Sequence, residues 1–184
     1  MKKLTEYATA HAAMIDLCEA VYDRAAELKQ AILLDAADLP APYEALLAHN
    51  EHMTVQLQQH LGTNVELQVQ REVYEKDRYH RRIVLTRADS GAIMEFGVVR
   101  IDLDYMQPSV REEILAKRTP LGEILICHGV LRRIVPHWYM RFDAGSAVTQ
   151  EFVGSDDGPA FGRVGTILCN EQPAIELLEI VKCP

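Results

Sequence analysis

The apolar positions of this chain change period once, near residue 63. Before that point they recur at helical spacing: Leu4, Tyr7, His11, Met14, Leu17, Cys18, Val21, Tyr22, Ala25, Leu28 and Ile32 line one stripe. The spacing predicts an amphipathic helix over residues 4–33 that breaks near Asp35. Asp38-Leu-Pro40 then reads as a helix start, with Asp38 as cap and Pro40 in the first turn of a helix reaching His49. Asn50 is placed to cap a third helix, Glu51–Leu61, which Gly62 closes.

From Asn64 the period is two. Val65, Leu67 and Val69 alternate with Glu66, Gln68 and Gln70, a strand with one wet face. Arg82–Arg87 and Ile93–Asp102 read as two further strands joined by a turn at Asp89-Ser-Gly91. Pro108–Lys117 reads as a short helix, and Thr119–Gly129 as another, with Thr119 as cap, Pro120 at its first position and Gly129 as stop. Ile134–Phe142, Arg163–Cys169 and Pro173–Val181 complete about six strands, with a surface loop at Ser155–Pro159 and a tight turn at Asn170–Pro173. Helices followed by hairpin-linked strands, without βαβ alternation, predict an α+β domain on an antiparallel sheet flanked by helices. The whole of 1–184 reads as one such domain, with residues 1–36 as an N-terminal helical extension.

The last strand carries the first chemical signal. Glu176 and Glu179 lie three positions apart, so their carboxylates point to opposite faces. One is a solvated acid and the other sits on a buried face, where it needs a cation or a shifted pKa. Arg82, on another strand, is the candidate partner.

Composition narrows the classes. The chain has 184 residues, 48% of them hydrophobic and 25% charged, enough for one self-standing core. A net charge of −8 disfavours nucleic acid and acidic membrane surfaces as partners, so a negatively charged small ligand needs a local basic pocket. Cys18, Cys127, Cys169 and Cys183 are scattered without metal spacing, which reads as reduced thiols in a cytoplasmic protein. Acidic residues interrupt the apolar positions of the first thirty residues, so neither a signal peptide nor a membrane span is expected. Cys127 reads as filler on an apolar helix face.

Two helix starts could receive an anion on unpaired backbone N–H groups, one near Met53 and one near Leu121. With Arg82 beside them, two amides and a guanidinium would clamp a carboxylate. The plainer alternative is that both helix ends face water, and that Arg82, within Arg78-Tyr-His-Arg-Arg82, belongs to a charged strand edge. Arg132, Arg133 and Arg141 have the same surface reading. His49 and His52 have helical spacing but no third ligand nearby, so no metal is expected.

Taken in order, Met53-Thr54, Arg78-Tyr-His-Arg-Arg82-Ile-Val-Leu, Thr119-Pro-Leu-Gly-Glu-Ile-Leu125, Gly162-Arg-Val-Gly and Pro173-Ala-Ile-Glu-Leu-Leu-Glu179 resemble the chorismate–pyruvate lyase family over residues 43–181. The resemblance implies an antiparallel sheet flanked by helices and conversion of chorismate to 4-hydroxybenzoate and pyruvate without metal or organic cofactor. It assigns the ring carboxylate to Arg82 and to the amides of Met53 and Leu121, and the group near the 4-hydroxyl to Glu179. General acid–base catalysis of this kind contributes about 10²–10⁴-fold.

This chain departs from the family at several points. Glu179 lies one residue farther past Pro173 than the family acid, and a one-residue slip reverses every side chain, so Glu176 is the reserve acid and Arg81 the reserve cation. The N-terminal helix is longer than usual, a candidate homodimer surface or pocket cover. The second expectation is a non-catalytic domain on the same scaffold that binds an aromatic acid; the 184 residues hold no DNA-binding segment to complete a regulator. The lyase reading requires Arg82 and Glu179 to meet on one side of the sheet.

Overall fold

The computed structural model describes residues 4–153 and 157–183. The chain runs α1 (Leu4–Cys18), β1 (Ile32–Leu34), α2 (Tyr43–Leu47), α3 (Met53–Leu61), β2 (Val65–Glu75), β3 (Arg78–Arg87), β4 (Ile93–Asp102), α4 (Pro108–Ala116), α5 (Leu121–Cys127), β5 (Arg132–Phe142), β6 (Ala160–Cys169) and β7 (Gln172–Val181), with short 3-10 turns between. All seven strands join one sheet in the order β1-β5-β6-β7-β4-β3-β2, and each neighbouring pair is antiparallel.

Each face of the sheet is covered by different elements, as strand alternation demands. One face buries Phe96, Val98, Leu178 and Ile180 beneath α1 and the turns that follow it, which contribute Met14, Leu17, Val21, Tyr22 and Leu28. The other face carries two clusters. Val99, Ile101, Ile167, Ile175 and Leu177 pack under α4 and α5, while Ile83, Leu85, Phe161 and Val181 pack under α2 and α3. A seam runs between these two clusters.

Several elements differ from the pattern reading. The helix expected over 4–33 stops at Cys18; residues 25–30 form a 3-10 turn and Ile32–Leu34 pair with β5. A thirty-residue helix would be about 45 Å long, well beyond the roughly 33 Å of a ten-residue strand it packs on. The chain turns back instead and buries Val21, Tyr22 and Leu28 in the same core. Because α1 lies on the face away from the seam, it covers no pocket there. Among its described side chains the exposed ones, Ala8, Thr9, Ala12 and Asp16, are not large and apolar.

Asp38 caps no α-helix, since α2 starts only after Pro42. A proline disfavours helical backbone in the residue before it, which holds Ala41 out of the helix. Likewise α3 begins at Met53 with His52 as cap rather than Asn50, and α5 begins at Leu121 with Pro120 as cap rather than Thr119. Gly62 closes α3 in the left-handed region (φ 64°), as the sequence predicts. Cys127 is exposed and fills no core. Ser155 and Asp156 of the expected loop lie outside the described residues, as do the side chains of Leu4 and Tyr7.

Two hairpins fix the register of the site. Lys76 (φ 58°) begins the two-residue turn between β2 and β3, and Asn170 and Glu171 (φ 51° and 64°) make the turn between β6 and β7. Positive φ at both central residues, as at Asn170 and Glu171, or at the first alone, as at Lys76, is the hairpin geometry that matches strand twist. Close strand approach also requires Gly162, where an added Cβ would stand 2.7 Å from the Glu179 carbonyl oxygen and 2.9 Å from Ile180 Cγ1. Gly162→Ala is expected to destabilise the chain by about 1–3 kcal/mol in denaturant unfolding; an unchanged midpoint would contradict the packing described.

Candidate functional site

The seam between the two clusters closes into a pocket. Its floor is the sheet: Arg81, Ile83 and Leu85 of β3, Glu95, Gly97 and Val99 of β4, Leu177 and Glu179 of β7. Its roof is the first turns of α3 (Met53, Thr54) and α5 (Leu121, Gly122), with His52 and Pro120 before them. The space open to the centre of a water molecule is ≈ 50 Å³, well above the ~10–15 Å³ that a single water needs. That suits a small organic molecule.

Strand parity decides which cation reaches this pocket. Arg81 pairs with Val99 and faces the seam, whereas Arg82 pairs with Val98 and faces α1. The Arg82 guanidinium sits over the Tyr22 ring, 5.8 Å from its centroid. Arg82 and Glu179 are therefore on opposite sides of the sheet, and the cation beside Glu179 in the pocket is Arg81. Glu176 also faces away, hydrogen-bonded to Arg100 at 2.6 Å.

Arg81 is 2% exposed, yet its Nε and Nη1 have no hydrogen-bond partner among the described residues. Burial pulls its pKa down, and Tyr79 and the Glu72 carboxylate partly offset this. A buried guanidinium with open donors is costly, because each unmet donor forfeits its hydration.

Arg163 makes the opposite case. It is fully buried, and its Nε donates to Glu179 Oε2 at 2.6 Å. Its Nη1 donates to the carbonyls of Leu47 (3.0 Å) and His49 (2.8 Å), and its Nη2 to that of Glu51 (3.2 Å). One side chain thus ties β7 to the segment that leads into α3, and so fixes the roof over the floor. The carboxylate of Glu179 is held in that ion pair.

Glu95 is the second acid of the floor. It is 3% exposed, and its Oε2 has no hydrogen-bond partner among the described residues. Burial drives its pKa well above the ordinary carboxylate value; Glu179 pushes the same way and Arg163 opposes them. Burial and the neighbouring Glu179 carboxylate thus both favour the protonated form of Glu95. Gly97 leaves the room for it, since a Cβ there would lie 3.2 Å from Glu95 Oε1 and 3.1 Å from Ile83.

The roof depends on an equally close contact. A Cβ at Gly122 would come within 2.6 Å of the His52 ring, so glycine lets α5 abut the start of α3. Burial, then Arg132 and Arg163, lower the His52 pKa to about 4. The ring is neutral at pH 7, and its Nε2 accepts from Arg132 Nε at 2.7 Å. The hydrogen bonds of the first turns run from Val55 and Gln56 to the His52 carbonyl and from Ile124 to that of Pro120. The amides of Met53 and Leu121 lie outside those ladders at the pocket's roof. Among the described residues no group of His, Cys, Asp or Glu has metal-binding geometry, and no helix is long and apolar enough to cross a membrane.

Glu95 and Arg163 were not singled out from the sequence. Their signal was present, each being a lone charge in an apolar strand (Met94-Glu-Phe96 and Gly162-Arg-Val164).

No family model matches the chain, and none of the curated proteins matches it. Among solved structures it is similar to PhnF from Mycobacterium smegmatis, with a TM-score of 0.53 and 13% identity over 71% of this chain and 63% of that one. The fold is chorismate-lyase-like. This chain thus spans less than two thirds of PhnF's length. It is also similar to the C-terminal domain of the histidine utilization repressor from Pseudomonas syringae (TM-score 0.44, 12% identity, 64% of this chain and 91% of that one). A third is the ligand-binding domain of a protein from Bordetella bronchiseptica described as a GntR-family transcriptional regulator (TM-score 0.43, 11% identity, 64% and 85%).

These neighbours correct the enzymatic expectation. Two of them are described as a repressor and as a transcriptional regulator and none as a lyase, so lyase activity, chorismate as substrate and 4-hydroxybenzoate as product do not carry over to this chain. The site agrees, since Arg82 faces away from the pocket and Glu179 is committed to Arg163.

The raised pKa of Glu95 has a measurable consequence. A folded-state pKa raised above the unfolded value means that folding takes up a proton. The stability of the native chain is then full below about pH 4.5 and falls as pH rises toward the folded pKa. Glu95→Gln removes that dependence. The variant is expected to gain on the native chain with rising pH above about 4.5, by up to about 1.4 kcal/mol per pH unit. Denaturant midpoints measured from pH 5 to 8 check this, and parallel curves would contradict it.

Proposed function

We propose that this chain is a non-catalytic binding domain for a small organic acid, with aromatic acids as the class that fits. The observation that carries the reading is Arg81: a guanidinium 2% exposed, with two unpartnered nitrogens, lining a small pocket. A carboxylate supplies two acceptors in the plane that a guanidinium fork matches. The amides of Met53 and Leu121 stand at the roof as further donors, and the apolar walls of Ile83, Leu85, Val99 and Leu177 accept a ring. Glu179 contributes through its ion pair with Arg163, which keeps its carboxylate in the pocket wall.

The kinship of fold with the ligand-binding domain of a GntR-family regulator supports a binding role over turnover. On this reading the domain reports occupancy to a partner, and a homodimer is the assembly in which it would do so. Nothing in the pocket favours nucleic acid as the direct ligand, given a chain net charge of −8.

Benzoate, salicylate and phenylacetate are suitable probes. A ligand at about 100 times its Kd stabilises the fold by about 2.7 kcal/mol, a Tm rise of roughly 5–10 °C for a chain of this size. At least one of these acids is expected to give such a rise and to be recovered unchanged. Arg81→Gln should weaken its binding at least 30-fold, the loss expected when a buried charge pair is broken (about 2–5 kcal/mol). Absence of any shift, or equal binding by Arg81→Gln, contradicts the proposal.

A further inference from the structure

The acid-binding reading accounts for Arg81 and leaves Glu95 without a task. The two mark different ends of the floor. Arg81 pairs with Val99, while Glu95 lies four residues back along β4, opposite Leu85. Four residues of strand separate their backbones by about 13 Å, with Ile83 and Gly97 between. Glu95 is buried and lines the same pocket, and its Oε2 meets no partner among the described residues. A native fold rarely strands a buried polar oxygen, and where it does the group calls for an explanation.

The neighbours of Glu95 decide what that something is. Glu179 sits diagonally across on β7, because Gly97 pairs with Glu179 and Glu95 with Val181. Arg163, whose charge acts on Glu95, is already engaged by Glu179 and three carbonyls. A second anion brought to this end would meet two carboxyl groups and, among the described residues lining the pocket, no Lys or Arg other than Arg81 at the far end. A neutral oxygen would meet an acid hydroxyl able to donate to it.

We infer that Glu95 sets the specificity of the pocket, selecting an acid with one carboxylate at the Arg81 end and an uncharged oxygen (ether, carbonyl or hydroxyl) at the other. The inference rests on the acid-binding reading and adds to it the second half of the ligand. Dicarboxylates are excluded by the same arrangement. Mechanistically this is recognition by a neutral carboxylic acid, and no bond to the ligand forms or breaks. A site built to hydrogen-bond a ligand oxygen discriminates strongly against analogues that lack it.

The test is calorimetric titration of the full chain with benzoate, methoxybenzoate (the better of the meta and para isomers) and terephthalate. The native chain is expected to bind methoxybenzoate about tenfold tighter than benzoate, the worth of one net hydrogen bond, and terephthalate at least tenfold weaker than benzoate. Glu95→Gln, which still offers a donor, keeps the methoxy preference within about threefold. Glu95→Leu abolishes it while retaining benzoate. A preference that survives in Glu95→Leu, or terephthalate bound as tightly as methoxybenzoate, overturns the inference even when binding depends on Arg81. Should the native chain bind none of the three, or Arg81→Gln bind them equally well, the acid-binding reading falls and the specificity inference falls with it. Should Glu95→Leu fail to fold, the native chain's binding of terephthalate as tightly as methoxybenzoate, or loss of the methoxy preference in Glu95→Gln, still overturns the inference, and terephthalate at least tenfold weaker than benzoate supports it.

Discussion

Two arginines are buried on the same face of one sheet, and the difference between them organises the molecule. Arg163 has acceptors for all three of its guanidinium nitrogens: Glu179 on the neighbouring strand and three carbonyls in the segment before α3. Removing a charge from water is costly unless such partners replace the hydration. Here they do, and the geometry that satisfies the guanidinium also holds α3 against β7. Arg81 has no such set, so its burial is a standing cost to the folded chain. Costs of this kind persist in proteins where function uses them.

The roof follows from the same tie. With the segment 47–51 anchored by Arg163, His52 is carried against Gly122, and the starts of α3 and α5 meet over the floor. A side chain at Gly122 would separate them, and one at Gly97 would crowd Glu95. Two glycines therefore give the pocket its depth, one above and one below. The walls between are apolar, which lowers the local dielectric and strengthens each polar contact a bound acid would make.

Much of this architecture is legible in the amino-acid pattern, and the part that is not fails for a definable reason. Ile93–Asp102 is an apolar run that starts just after the turn signal Asp89-Ser-Gly91, so its start is legible; Gly62 and Asn170-Glu171 mark backbone reversals that only certain residues tolerate. The run Arg81-Arg-Ile-Val-Leu85 gives no such help. Its strand is buried on both faces, so Ile83 and Val84 are equally apolar and the period of two says nothing about which arginine points where. Only pairing with Val98 and Val99 settles it. The break of the first helix at Cys18 is likewise a tertiary decision, since no glycine or proline stands there; the chain turns back and buries Val21, Tyr22 and Leu28 in the core that α1 covers. Glu95 was readable by the logic that raised Glu179, a lone acid within an apolar strand.

The central claim is that Arg81 is kept buried and under-bonded for the sake of a ligand's carboxylate. The most direct test compares Arg81→Met with the native chain in two assays on the same samples: denaturant unfolding without ligand, and titration with the aromatic acid that binds best. The account predicts opposite signs, with unfolding free energy raised by about 1–3 kcal/mol as an unsatisfied buried charge is removed, and acid binding lost. A variant that is less stable than the native chain yet binds the acid as well would contradict it.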